Sequence, residues 1–344
     1  MPKNLMLVID EAHNFGSENR IKFLDERFKY RLALSATLDR HHDECGSNIL
    51  KNYFGKVCIS YDLERAISEH MLTPYEYYPI YVSMTELERQ AYLEISKVIG
   101  SGLRKNKEGV SIYTEKAKMA MIERANLVAT ISGKVPALIE NLKKYVDTHE
   151  DIGHILIYCG TSARLPHCED ILESAEVEHQ LATVIKKVSD LMEVAKYTSD
   201  TSIEERKRLT IDFAEGKHIQ ALAAIKCLDE GVDIKSIRVA FILASTTNPK
   251  EYIQRRGRVL RLAEGKDKAE IYDFITLPYS FEEMKHYGKD ELKKYRSLIN
   301  NEMRRYEEFS RVALNRIFLG VEFLEFCSKF GITPKYIDGG SDCE

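Results

Sequence analysis

Leu5-Met6-Leu7-Val8-Ile9-Asp10-Glu11-Ala12-His13 joins five apolar residues directly to two acids. So short and uniformly apolar a run suits a central parallel strand buried on both faces, with the acids at its C-terminal end. Arg31-Leu32-Ala33-Leu34-Ser35-Ala36-Thr37 repeats the design and ends in hydroxyls. Between them, residues 20–27 set Ile21, Phe23 and Leu24 at helical spacing. Strand, crossover helix and strand predict a parallel α/β unit, and this one reads as the back half of an α/β domain.

Working outward, residues 75–83 alternate loosely and read as a connecting strand. Ser83 with Glu86, or Thr85 with Glu88, forms the capping box of the helix that follows. After a polar loop at 105–109, helical pattern resumes over 115–145, divided by Gly133 and by Pro136 in the first turn of the second helix. A second α/β unit starts near Gly153: strands at 154–159, 219–225, 239–243 and 271–274, with helices at 164–174 and 203–214. Ser202 and Glu205 make the capping box of the latter. Beyond Pro278 lie charged helices. Over 303–330, Phe309, Val312, Ala313, Arg316, Ile317 and Leu324 fall on one stripe, either docked on the second domain or held for a partner.

At 344 residues and 39.6 kDa the chain has room for two domains with real cores. A formal charge of −4 argues against a uniformly basic surface, so nucleic-acid binding has to rest on motifs. Seven scattered cysteines without Cys-x-x-Cys spacing, and no secretory leader, suit a reducing cytoplasm. His41-His42-x-x-Cys45 has no second ligand pair, so no zinc is expected. No apolar run is long enough to span a membrane.

Two clusters carry chemistry. In an ATPase, Asp10 would hold Mg²⁺ through water and Glu11 would orient or deprotonate the attacking water. The plain alternative is an acidic strand-to-helix junction, since acids favour helix N-termini. Gln254-Arg255-Arg256-Gly257-Arg258-Val259-Leu260-Arg261 is the second cluster. On a helix, Arg258 and Arg261 share a face, as do Gln254 and Arg258, and two guanidinium groups there can clamp a phosphoryl group. Arg255 is placed to brace acids of the second domain. The alternative is a basic helix surface. Between the clusters, Leu228-Asp229-Glu230-Gly231-Val232-Asp233-Ile234 follows an apolar strand as a tight acidic turn. Gly231 frees its backbone, and Asp233 is placed for a nucleotide ribose or an arginine.

Together these segments resemble the motifs of superfamily 2 helicases and translocases of DEAH type, nearest in flavour to the excision-repair and bacterial restriction or defence group. Asp10-Glu11-Ala12-His13 is similar to motif II, Ser35-Ala36-Thr37 to motif III, residues 155–160 to motif IV, 228–234 to motif V and 254–261 to motif VI. The resemblance implies two RecA-like parallel-sheet lobes, the first (1–72) incomplete. A connecting strand and helical linker (73–145), a second lobe (146–277) and a C-terminal helical extension (278–344) follow. It implies ATP and Mg²⁺ in the cleft between lobes, with Glu11, Arg258 and Arg261 catalytic. Asp10, His13, Gly231, Asp233 and Gln254 would bind the nucleotide, and Ser35 and Thr37 would couple the lobes. Single-stranded or duplex DNA, rather than RNA, would contact Gly160, Thr161, Ser162, Thr246 and Thr247 through its phosphates.

No Gly-x-x-x-x-Gly-Lys-Ser/Thr loop occurs; Gly55-Lys56, Gly133-Lys134, Gly216-Lys217, Gly265-Lys266 and Gly288-Lys289 all lack the hydroxyl residue. Without that loop's lysine and amides the β- and γ-phosphates have no cradle. The expectation is therefore the C-terminal part of an ATP-dependent DNA helicase or translocase, inactive in hydrolysis without an upstream half. That half would come from a separate chain or a longer gene. The alternative is a non-hydrolysing nucleic-acid or protein-binding module derived from a helicase.

Overall fold

A computed structural model describes residues 5–35, 43–105, 111–160, 180–198, 200–216, 218–225, 234–244, 249–284 and 286–330. Its strands are β1 (Met6–Ile9), β2 (Tyr30–Ala33), β3 (Tyr75–Ser83), β4 (Leu103–Lys105), β5 (Ser111–Tyr113), β6 (Ile155–Tyr158), β7 (Val194–Tyr197), β8 (Ala221–Ala224), β9 (Val239–Ile242) and β10 (Ala269–Leu277). The helices before the second sheet are α1 (Glu18–Ile21), α2 (Glu44–Phe54), α3 (Leu63–Ser68), α4 (Glu86–Ser101), α5 (Glu115–Ala129) and α6 (Lys134–Thr148). Those after are α7 (Gln180–Val188), α8 (Ile203–Glu215), α9 (Pro249–Val259), α10 (Phe281–Met284), α11 (Lys289–Lys293), α12 (Arg296–Ser310) and α13 (Arg316–Phe330).

Two parallel sheets organise the molecule. β1 and β2 pair with Met6 opposite Tyr30 and Ile9 opposite Ala33. The six-stranded sheet runs β3-β10-β9-β6-β8-β7, every pair parallel. Its inner strands β6, β8 and β9 are buried at every position. A strand covered on both faces needs no polar alternation, which is why these read as continuous apolar runs. The strand at Tyr75–Ser83, expected as a connection, is hydrogen-bonded into this sheet along its whole length, beside β10.

On the first sheet Met6 and Val8 remain 54% and 53% exposed, and Tyr30, on the same face, 50%. The opposite face is covered, with Ile9, Leu50 and Tyr53 buried. A parallel sheet ordinarily has both faces covered, so this lobe presents one open apolar face.

Several local expectations need correction. The crossover helix foreseen over 20–27 is a single turn, α1, after a 3-10 turn at Ala12–Gly16. The helix foreseen at 164–174 lies outside the described residues. The C-terminal stripe is not continuous: α12 ends at Ser310, α13 starts at Arg316, and Ile317 is 78% exposed rather than docked. Docking itself belongs to α12. Arg305 on α12 donates to Asp273 Oδ2 on β10 at 2.9 Å and to both oxygens of Glu302 at 2.9 Å. Tyr77 OH donates to the same Asp273 oxygen, and Glu302 Oε2 accepts the Thr276 N–H at 2.7 Å. Asn315 closes the outer edge of β3, accepting from Tyr77 N–H at 3.1 Å and donating to Tyr77 O at 2.9 Å.

The Gly-Lys pairs have local explanations. Gly55 and Gly216 end α2 and α8 with positive φ, and Gly265 turns with φ 66°. Lys134 is buried, donating to Val128 O and Leu243 O, and Lys266 donates to Val259 O and Arg261 O. Among the described residues no helix is long and apolar enough to cross a membrane.

Candidate functional site

β1 ends at Ile9, and Asp10 and Glu11 form the turn that follows. Glu11 has φ 48°, a left-handed conformation that costs a non-glycine residue about 1–2 kcal/mol. Three hydrogen bonds hold it there: Glu11 N–H to Asp10 Oδ1 at 2.8 Å, Ala12 N–H to Leu34 O at 3.0 Å, and Leu34 N–H to Ile9 O at 2.9 Å. Reading the acids as helix caps fails here, because the Glu11 side chain makes no cap bond to the turn it precedes.

That side chain instead reaches the second sheet. Gln254 Nε2, on α9, donates to Glu11 Oε1 at 2.7 Å across 243 residues of sequence. Behind it, buried His13 sets Nδ1 3.0 Å from Ser35 Oγ and 3.3 Å from Glu11 Oε2. The acidic quartet, the first hydroxyl of Ser35-Ala36-Thr37 and the glutamine of the arginine cluster therefore meet in one group, Gln254 bonded to Glu11 and Ser35 paired with His13.

The arginine cluster is built differently from the expectation of one helix face. α9 ends at Val259, so Arg258 lies in its last turn and Arg261 beyond it. The Arg261 segment is pinned through its backbone: Arg261 O accepts from Lys266 Nζ at 2.9 Å and from Thr73 Oγ1 at 3.3 Å. Thr73 N–H donates to Leu260 O at 2.7 Å. Burial pulls the Lys266 ammonium down to about 8. Arg258 and Arg261 both stay part-exposed, whereas Arg255 and Arg256 are buried. Arg255, expected to brace acids of the second domain, donates to Ala244 O at 3.0 Å and stands 5.3 Å above the Tyr158 ring.

Gly160 N–H donates to Gln180 Oε1 at 2.6 Å, and a Cβ there would lie 2.9 Å from Thr130 Cγ2. Thr37, Thr161, Ser162, Gly231, Asp233, Thr246 and Thr247 lie outside the described residues. Sequence reading missed the roles of Gln180, Lys266, Thr73 and Arg256, which depend on distant backbone carbonyls; the one sequence signal was the Gly265-Lys266 pair without a phosphate-loop context.

Residues 133–263 match the family model described as "Helicase conserved C-terminal domain". This part of the chain is thus related to helicase C-terminal domains. The chain is 24% identical over 282 residues to the DNA 3'-5' translocase XPB2 of Sulfurisphaera tokodaii, covering 79% of this chain and 58% of that protein. A protein assigned the name helicase 22, from Sulfolobus islandicus filamentous virus, is 25% identical over 273 residues, covering 78% and 42%. This helicase-related chain thus spans about half the length of these curated relatives. Its fold is similar to that of a fragment assigned as an HsdR subunit of a type I restriction enzyme from Vibrio vulnificus. There the TM-score is 0.50 at 18% identity, over 80% of this chain and 44% of that one. The two parallel-sheet lobes are accordingly of the RecA-like helicase kind, with a C-terminal helical region added.

Proposed function

We propose that this chain is the C-terminal part of an ATP-dependent DNA helicase or translocase, with its nucleotide site between the acidic turn after β1 and helix α9. The observation that carries the reading is the 2.7 Å hydrogen bond from Gln254 to Glu11, which joins the two lobes at the residues the chemistry needs.

The residues suit ATP and Mg²⁺. Asp10 is an exposed carboxylate, a hard oxygen donor of the kind that holds hydrated Mg²⁺ beside phosphates. Arg258 is one turn from Gln254 on the same helix side, and its guanidinium and that of Arg261 match phosphate oxygens. Bound Mg²⁺–ATP would supply the phosphoryl group and screen its charge. Glu11, freed from Gln254, orients or deprotonates the attacking water; Arg258 and Arg261 neutralise charge developing on the transferring group. His13 and Ser35 fix the Glu11 carboxylate from behind. Asp233 and Gly231, by resemblance, complete the second-lobe side.

Within the 344 residues no phosphate-loop motif occurs. The cradle for the β- and γ-phosphates is therefore assigned to sequence outside this chain, linked or separate, and the open apolar face of Met6, Val8 and Tyr30 supports such a complement. DNA is preferred as the track because a curated relative is a DNA translocase. Strand phosphates would meet Thr161, Ser162, Thr246 and Thr247, giving little base specificity.

The test is DNA-stimulated ATP hydrolysis, by the chain alone and within the longer or two-chain assembly. The assembly is expected to turn over, the chain alone not, and Glu11→Gln to lower the assembly's kcat by about 100-fold or more. Turnover unaffected by Glu11→Gln contradicts the assignment. DNA binding with no turnover in any assembly favours the non-hydrolysing module.

A further inference from the structure

We propose that Arg256 and Glu308 are positioning residues, through which the C-terminal helix α12 sets the rotation of α9 and so presents Gln254 and Arg258 to the acidic turn. This deepens the function proposed above and rests on it for its catalytic consequence, but its geometry stands independently.

Arg256 is 2% exposed, although its neighbours in sequence suggest a solvated basic surface. Its Nη1 donates to Glu308 O and its Nη2 to Glu308 Oε1, both at 2.7 Å, and Nη1 lies 3.4 Å from Tyr75 OH on β3. The guanidinium stands 5.0 Å from the Phe309 ring centre. Tyr252, one turn earlier on α9 and buried, packs on the same ring at 5.8 Å. Tyr252 and Arg256 thus form an inner face of α9 held by α12.

Helical geometry gives the consequence. At 3.6 residues per turn, positions two before and two after Arg256 point roughly 160–200° away from it. These positions are Gln254 and Arg258. Anchoring Arg256 inward therefore directs both outward on nearly one line, where Gln254 meets Glu11. A rotation of α9 by even part of a turn would break that alignment, since charge-assisted bonds and phosphate contacts are directional. α12 is itself a firm base, being tied to β10 by the Arg305–Asp273 and Glu302–Thr276 bonds.

The experiment is hydrogen–deuterium exchange on the whole chain, comparing wild type with Glu308→Ala and Glu308→Gln. Glutamine keeps the acceptor at Oε1; alanine removes it. In Glu308→Ala, amides of Lys250–Val259 are expected to exchange about tenfold faster while those of β6, β8 and β9 keep their protection, and Glu308→Gln should restore α9 to near wild type. In the assembled ATPase, Glu308→Ala should lower kcat with KM nearly unchanged. Unchanged exchange in α9, or an equal rise throughout the six-stranded sheet, overturns the proposal. The exchange arm needs no nucleotide, so it separates this inference from the ATPase reading, whose failure shows as absence of turnover in the wild-type assembly.

Discussion

Replacing Arg305 with methionine tests how α12 is held. Asp273 is fully buried, and Glu302 and Arg305 are each 4% exposed. Arg305 supplies one bond to Asp273 and two to Glu302, so Arg305→Met leaves two buried acids without the cation they are bonded to. Methionine fills most of the arginine volume, which limits any cavity contribution. Breaking one side of a buried ion pair costs about 3–5 kcal/mol, a large share of the roughly 5–15 kcal/mol that stabilises a typical domain. The pH dependence gives a second check. Burial already raises the Asp273 carboxyl above its ordinary value, with Arg305 opposing the rise. Without Arg305 it rises further, so the variant's deficit shrinks as pH falls and the carboxyl takes up its proton. With no tryptophan in the chain, far-UV circular dichroism in urea is the suitable signal. A loss under about 1 kcal/mol at pH 7.5 would refute the assigned role.

Three further outcomes follow from single features. Burial lowers Lys134 and Lys266 to about 8, so between pH 8 and the unfolded value of 10.5 the unfolded chain holds protons the fold has released. Stability should rise by about 1 kcal/mol per pH unit per lysine from pH 8 to 9.5, and urea titrations of Lys134→Met/Lys266→Met should lose that slope. Gly216 has φ 67°, and a Cβ would lie 3.1 Å from His154 Nε2, whereas Gly257 has nothing within 4 Å. Gly216→Ala should destabilise by about 1–2 kcal/mol and Gly257→Ala should stabilise by up to about 1 kcal/mol, checked by thermal melts; the reverse order contradicts the geometry. Asn315→Ala uncovers Tyr77 N–H and O on the outer edge of β3 and should cost about 1–3 kcal/mol in the same melts.

The strands most legible in the sequence were those buried on both faces. Ile155–Tyr158, Ala221–Ala224 and Val239–Ile242 are short apolar runs because no position on them meets water. β7, one of two edge strands, was missed: Val194–Tyr197 carries exposed Lys196, and a charged edge blurs the apolar signal. Helix starts were legible where chemistry is local, as at Thr85 with Glu88, whose reciprocal bonds both form. For Ser202, the side chain accepts from the Glu205 N–H as foreseen. Helix ends depending on remote groups were not: α9 stops before Arg261, where Lys266 and Thr73 take the terminal carbonyls. In the site, the acids and arginines were visible as residue types, but the bond between Glu11 and Gln254 joins elements 243 positions apart. The pairing of Arg256 with Glu308 was not legible for the same reason, since only the fold brings them together.

The central claim is that the acidic turn of the first lobe faces the arginine helix of the second. It is tested most directly by thiol cross-linking of Glu11→Cys with Gln254→Cys, the seven native cysteines being replaced by serine or alanine. A short bifunctional reagent, matched to the reach of the two side chains it replaces, should join the pair rapidly in the folded chain and much more slowly in urea. Cross-linking no faster in the folded chain than in the unfolded one would contradict the account.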